Sequence, residues 1–429
     1  MKTGLTPLIR LYKVLISNIA FIPTIMGVSA LFLAVGMLFI ETHNYTHWFD
    51  DTIAFALVKG PENARMVLTT IVGGILSLTV FSFSMVMVVL NRATASLSPR
   101  VLPQLIAQKS HQFVLGCYMG TIVYSLILMI NIDNGSGVPS FGILVSMLAA
   151  IWSLGLFIYF IHAISQSIQV GNILKGIYKE TRSCIEKIKT DYKTEAADEQ
   201  IQWRSCFVAR DPGFYQFNIT QELLTYLEKH SVKLRICIWP EQFVLKGSTL
   251  LQWDLENGSV DNSIFKNCLQ YTERPPDTDN YSAGMEKASE IAVKALSPGI
   301  NDPGTAVRAI RVLTILFAHL LPYNNLYVEK YKKGKVLVFH TMPSLDQLLN
   351  TCISPIHHFS DGLPMIIDSL FDFYDTLLQD AEGNDRTILL RHFNALLEKN
   401  GHEQHTRLDV ENIAKRVEVI MLGKTVHTN

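Results

Sequence analysis

Charge is scarce in this chain, and cysteine is scarcer. Only 17% of its 429 residues are Asp, Glu, Lys or Arg, and its six cysteines (Cys117, Cys184, Cys206, Cys237, Cys268 and Cys352) stand far apart. Without a CxxC pair, neither a zinc ribbon nor a redox dithiol is encoded, and reduced thiols in a cytosolic setting are the simplest expectation. A net charge of -1 provides no global field for a polyanion. No basic segment is interleaved with aromatics either, so no nucleic-acid partner is expected. A glycine-rich phosphate loop, a nucleophile elbow and a metalloprotease helix are all missing, so no cofactor and no catalytic residue is assigned. His43 and His47 have i, i+4 spacing beside Glu41, Asp50 and Asp51. A solvated loop is the ordinary reading of such a patch, and no metal is expected there or at the adjacent His357 and His358, whose side chains diverge.

What the chain has instead is grease, concentrated before residue 165. Four stretches, at residues 14–40, 66–90, 113–130 and 138–162, contain no Asp, Glu, Lys or Arg. The second, MVLTTIVGGILSLTVFSFSMVMVVL, covers about 36 Å as a helix, against a bilayer core of about 30 Å. The first is too long for a cleaved signal peptide and is read as a retained helix. Cations alternate between the intervening segments. Lys2, Arg10 and Lys13 precede the first span; Lys59 and Arg65 are outweighed by Glu41, Asp50, Asp51 and Glu62 in the next loop. Arg92, Arg100 and Lys109 then stand without an acid, residues 131–137 carry no cation, and Lys175, Lys179, Arg182, Lys187 and Lys189 follow the fourth span. That alternation predicts a multi-pass inner-membrane protein with both termini cytosolic. The fold expected is a membrane all-α bundle of four transmembrane helices followed by a cytosolic α+β domain.

Absence of an ionisable residue from the spans counts against a proton-driven pump. Thr70, Gly73, Gly74, Ser77, Phe81 and Ser84 fall near one face of the second span, where they suit either a packing seam between helices or a pore lining. Ser98, Pro99 and Arg100 would form a basic collar at its inner end.

Beyond the spans, residues 166–204 read as an amphipathic linker helix. Residues 205–325 read as a mixed β unit followed by a helix-turn-helix, and residues 326–429 as a strand, KVLVFH, leading into helices. Within the middle section, Met285, Ala288, Ile291, Ala292, Ala295 and Leu296 share one helical face. Ser297-Pro298-Gly299 should stop that helix, with the glycine taking a left-handed turn. Asp302 then caps a second helix with Pro303 in its first position. Asn301, Asp302, Thr305 and Arg308 form the candidate ligand or partner surface, since helix N-termini attract anions. Gly213 and Gly247 are expected in turns.

The run ALSPGINDPGTAV (295–307) resembles the signature of a bacterial family known as domain of unknown function 2254. The likeness extends to Ser82-Phe83, Ser98-Pro99-Arg100, Gly213-Phe214-Tyr215-Gln216, Phe243-Val244 with Gly247, and residues 356–359. This chain departs from the family at Pro240-Glu241-Gln242, at His357 in place of an arginine, and at Gly304 in place of a bulkier residue. The resemblance implies a multispan inner-membrane protein with a cytosolic domain and supplies no catalytic residues. Three functions follow in order of preference. The first is a homo-oligomeric, channel-like protein passing a small ion or solute, with the lipid bilayer as its surroundings and the cytosolic part as vestibule or gate. The second is a membrane-anchored sensor or scaffold, and a membrane-bound enzyme ranks last.

Overall fold

The computed structural model describes residues 21–42, 57–58, 60–96, 109–132, 138–167, 169–191, 201–239, 242–255, 262–273, 280–323, 326–331 and 336–400. The chain divides into two compact units, with the boundary between Gln169 and Val170.

The first unit consists of α1 (Phe21–Thr42), α2 (Pro61–Ser96), α3 (Lys109–Asn131) and α4 (Ser140–Ser167). Each contains a stretch long and apolar enough to cross a membrane, as the charge-free runs predict. Large apolar side chains such as Phe32, Ile158 and Trp152 are exposed around the bundle. In water that would be costly, whereas in lipid it costs nothing. The closest helix approach lies between α1 and α3. A methyl carbon added at Gly116 would meet Met26 Sδ at 2.4 Å, and one at Gly120 would meet the Ala30 Cβ at 3.4 Å. Gly116 and Gly120 are four residues apart on one face, the small-xxx-small spacing that lets two helix backbones come together.

Polar contacts inside this bundle join α3 to α4. The Ser125 and Ser146 hydroxyls are 2.6 Å apart, and Tyr124 donates to the Gly142 carbonyl at 3.2 Å. At one end, Glu41 Oε1 accepts from the backbone N–H groups of Phe141 (2.7 Å) and Gly142 (3.1 Å). A carboxylate there satisfies two of the four orphan donors of α4 and complements its dipole.

The second unit begins with α5 (Val170–Asp191) and continues through β1 (Ser205–Val208), β2 (Gly213–Phe217), α6 (Gln221–His230), β3 (Leu234–Ile236), β4 (Phe243–Val244), β5 (Thr249–Trp253), α7 (Asn262–Cys268) and β6 (Leu269–Thr272). It is completed by α8 (Tyr281–Ala295), α9 (Pro303–Leu320), β7 (Leu326–Tyr331), β8 (Val336–Thr341), α10 (Leu345–Cys352), α11 (Ser354–Phe359), α12 (Pro364–Asp380) and α13 (Gly383–Asn400). Five strands form one sheet in the order β1-β5-β3-β8-β7, and three form another in the order β4-β2-β6. All pairings are antiparallel except β3 with β8. The strand expected from KVLVFH, observed at Val336–Thr341, therefore takes an interior place in the sheet begun before residue 255, so strands from both sides of residue 325 share one sheet. Leu223 and Leu227 of α6, Leu250 and Trp253 of β5, Phe265 of α7 and Val338 of β8 fill its core. Trp253 stacks on Phe265 with ring centroids 4.9 Å apart.

A second core lies among the helices. The predicted face of α8 is buried from Met285 to Leu296, and so are Ile310, Leu313 and Phe317 of α9. Phe317 meets Phe373 of α12 edge to face at 5.2 Å. The amphipathic α5 packs against α8 and α9. At the α5–α8 contact a carbon added to Gly284 would sit 1.9 Å from Thr181 Oγ1, so only glycine admits this approach.

Of the two glycine expectations, one holds and one needs correction. Gly247 has the left-handed φ of 87° its turn requires, but Gly213 lies within β2, where the Tyr271 ring comes 2.5 Å from where a Cβ would be. Crowding there, not a turn, calls for glycine.

Candidate functional site

The ALSPGINDP segment forms the connection between α8 and α9. Leu296 caps α8, and the Ser297 hydroxyl donates back to the Lys294 carbonyl at 2.7 Å. The Ile300 and Asn301 N–H groups both donate to the Ser297 carbonyl, and the Asp302 N–H donates to the Ala295 carbonyl at 2.8 Å. The bonds to Lys294 and Ala295 satisfy carbonyls that the end of α8 would otherwise leave open, and those to Ser297 close the turn beyond it. The left-handed residue is Asn301, with φ 47°, not Gly299. Asparagine tolerates this conformation better than other side chains do, which is how the turn closes two residues later than the glycine suggested.

Asp302 caps α9 as its sequence position predicts. One carboxylate oxygen accepts from the Thr305 N–H at 3.1 Å and the other from the Thr305 hydroxyl at 2.7 Å. The Thr305 hydroxyl, then its backbone N–H, hold the Asp302 carboxyl below the usual range, and Arg308 contributes in the same direction. Of the four residues assigned to a ligand surface, Thr305 is buried and engaged by Asp302, while Asn301, Asp302 and Arg308 are exposed. An incoming anion would have to displace the Asp302 carboxylate. What the segment presents is a rigid, exposed corner.

On α2 the residues Thr70, Gly73, Gly74, Ser77, Phe81 and Ser84 are all exposed within the single chain. A methyl carbon added at Gly73 or Gly74 meets nothing within 4 Å. The hydroxyls of Thr70, Ser77 and Ser84 donate to the carbonyls of Met66, Gly73 and Val80, four residues back, at 2.8–2.9 Å. Each hydroxyl proton is thereby satisfied, and each oxygen keeps accepting capacity directed away from the helix. The close intrachain seam is on α3 instead, at Gly116 and Gly120. Their GxxxG spacing is visible in the sequence, but the richer run of small residues on α2 obscures it.

Ser98, Pro99 and Arg100, like His43 and His47, lie outside the described residues. Among the described residues no three metal-ligating side chains come together. His357 is half-buried and its neighbour His358 is exposed. Cys352 is buried, and its backbone carbonyl accepts from the Ser289 hydroxyl at 2.6 Å. Burial, followed by the nearby charges of Glu286 and Glu290, pushes its thiol up, which makes it unreactive.

A family model described as "Predicted membrane protein (DUF2254)" matches residues 16–376, from the first span into α12. Curated relatives include an uncharacterized protein of Mycobacterium tuberculosis and one of Mycobacterium bovis. Each is 22% identical over 354 residues, covering 77% of this chain and 67% of the relative. No solved structure matches.

Proposed function

Because the chain belongs to the DUF2254 family of predicted membrane proteins, we propose that it is an inner-membrane, homo-oligomeric channel-like protein. In this reading α2 lines a weakly selective path for a small ion or solute, and the second unit serves as its cytosolic vestibule or gate. The observation that carries the proposal is the exposed face of α2. It holds three hydroxyls, two glycines and no charge, and among the described residues of one chain no helix backbone closes over its glycines. A symmetric assembly would bring copies of this face together around a common axis. Alternating loop charge supports cytosolic termini.

Purified protein in planar bilayers is expected to pass current, and Ser77→Trp or Ser84→Trp is expected to reduce it. Silence under voltage, membrane tension and solute gradients, from protein that remains assembled, overturns the reading. A reporter enzyme fused after Asn429 should be active in the cytosol, and periplasmic activity would reverse the topology. The exposed corner at Asn301 and Asp302 favours a second reading, a membrane-anchored scaffold docking a partner there. Under that reading Asn301→Ala abolishes partner capture and leaves conductance absent.

A further inference from the structure

A cavity of about 90 Å³ opens in the second unit where the ends of several helices meet. Tyr281 of α8, Phe317 of α9, Tyr323 just beyond it, Leu348 of α10, and Asn384 and Asp385 in the first turn of α13 line it. These come from four helices and a loop spread over a hundred residues, and no motif links them. Phe317 and Leu348 are buried, so the floor is apolar.

The charge here is unbalanced. Burial raises the Asp385 carboxyl above its usual range, and no hydrogen bond or neighbouring charge offsets it. Among the described residues, the side chains of Asn384 and Asp385 have no hydrogen-bond or ion-pair partner. Among the described residues, no Lys, Arg or His lines the cavity. Arg386, the nearest cation along the chain, is committed elsewhere, donating to the Leu378 carbonyl at 2.7 Å. The other ionisable side chains facing the space are the phenols of Tyr281 and Tyr323. The N-terminus of α13 and solvent offset part of the charge on the half-buried Asp385; no side chain pairs with it, and three aromatic rings lining the same space favour a cation over an anion.

We propose that this cavity binds a compact alkylammonium ion, its charged head against Asp385 and Asn384 and its alkyl part against Phe317 and Leu348. The volume is several times the roughly 10–15 Å³ that a single water needs by the same measure, which suits an ethylammonium-sized ligand better than a bulky quaternary amine. This site is separate from the face of α2, and its occupation does not depend on conduction.

Calorimetric titration of the full-length protein in detergent near neutral pH tests the assignment, with ethylammonium chloride as probe and sodium chloride and tetraethylammonium chloride as controls. Saturable binding of ethylammonium alone is expected. Asp385→Asn should weaken it about tenfold or more, the loss of one charge-assisted contact. Ile388→Trp, which fills the cavity and keeps the carboxylate, should abolish it; Glu398→Gln, exposed on the same helix, should leave it intact. Binding should also weaken in acid as Asp385 is protonated. Equal affinity in Asp385→Asn, an equal response to sodium or tetraethylammonium, or no saturable heat up to about 50 mM would each overturn the proposal. Should Asp385→Asn fail to fold, Ile388→Trp and the size series still decide it.

Discussion

Replacing Gly284 with alanine tests the tightest contact in the second unit. The added carbon would lie 1.9 Å from Thr181 Oγ1, 3.0 Å from its Cβ and 3.1 Å from its Cγ2. Rotation of the threonine can move the hydroxyl but not the Cβ, so α5 and α8 must separate. Overpacking of this kind costs about 1–3 kcal/mol, and the better helix propensity of alanine offsets about 1 kcal/mol of it. The expected net loss is about 0–2 kcal/mol, or up to roughly 8 °C in the midpoint of a unit this size. Tryptophan fluorescence during thermal unfolding in detergent reads it, since Trp203, Trp239 and Trp253 all lie in this unit. Gly176→Ala, on the same α5 but with nothing within 4 Å, should instead gain up to about 1 kcal/mol. Thr181→Ala should restore more than half of the Gly284→Ala loss. A Gly284→Ala midpoint above wild type, or a double variant no better than the single, refutes the close approach.

Two further perturbations probe the corner and the bundle. Asp302→Ala should cost about 1 kcal/mol, the usual worth of a helix cap. Because the folded carboxyl lies below its ordinary 3.8, that contribution is present above this value and lost as pH falls through the lower folded one. The midpoint difference between wild type and variant should therefore vanish in strong acid, and a difference independent of pH would contradict the capping role. In the bundle, Gly116→Val should lower the midpoint of the detergent-solubilised chain through its clash with Met26. Gly36→Val, whose added carbon meets nothing within 4 Å, should not.

How much of this could be read from the sequence depended on whether the cause was local. Absence of charge over a bilayer's thickness is local, and all four helices followed from it. So are the proline and the capping aspartate that start α9 at Pro303. Sheet order is not local: β8 finds β3 across about a hundred residues, and only apolar character, not partner choice, is written in KVLVFH. The short β6 and the hairpin strand β7 went unread, although Leu326, Val328 and Lys330 alternate with Tyr327, Glu329 and Tyr331 in the paired register. Nor did anything in the amphipathic pattern of α5 say that its apolar side would lie on α8 and α9 and not on a membrane surface. The cavity was illegible for the same reason, since Tyr281 and Asp385 meet only through the packing of α8, α10 and α13.

The parallel pairing of β3 with β8 also governs how this protein must be made. Until Thr341 has left the ribosome, β3 has one neighbour only, and its other edge stays open while nearly four-fifths of the polypeptide is already outside or in the lipid. Translation at about 5–20 residues per second leaves that edge waiting for several seconds after Ile236 emerges. A bare strand edge invites pairing with another nascent copy. Chains truncated just before Val336 should therefore insert their spans normally and aggregate through the unfinished sheet.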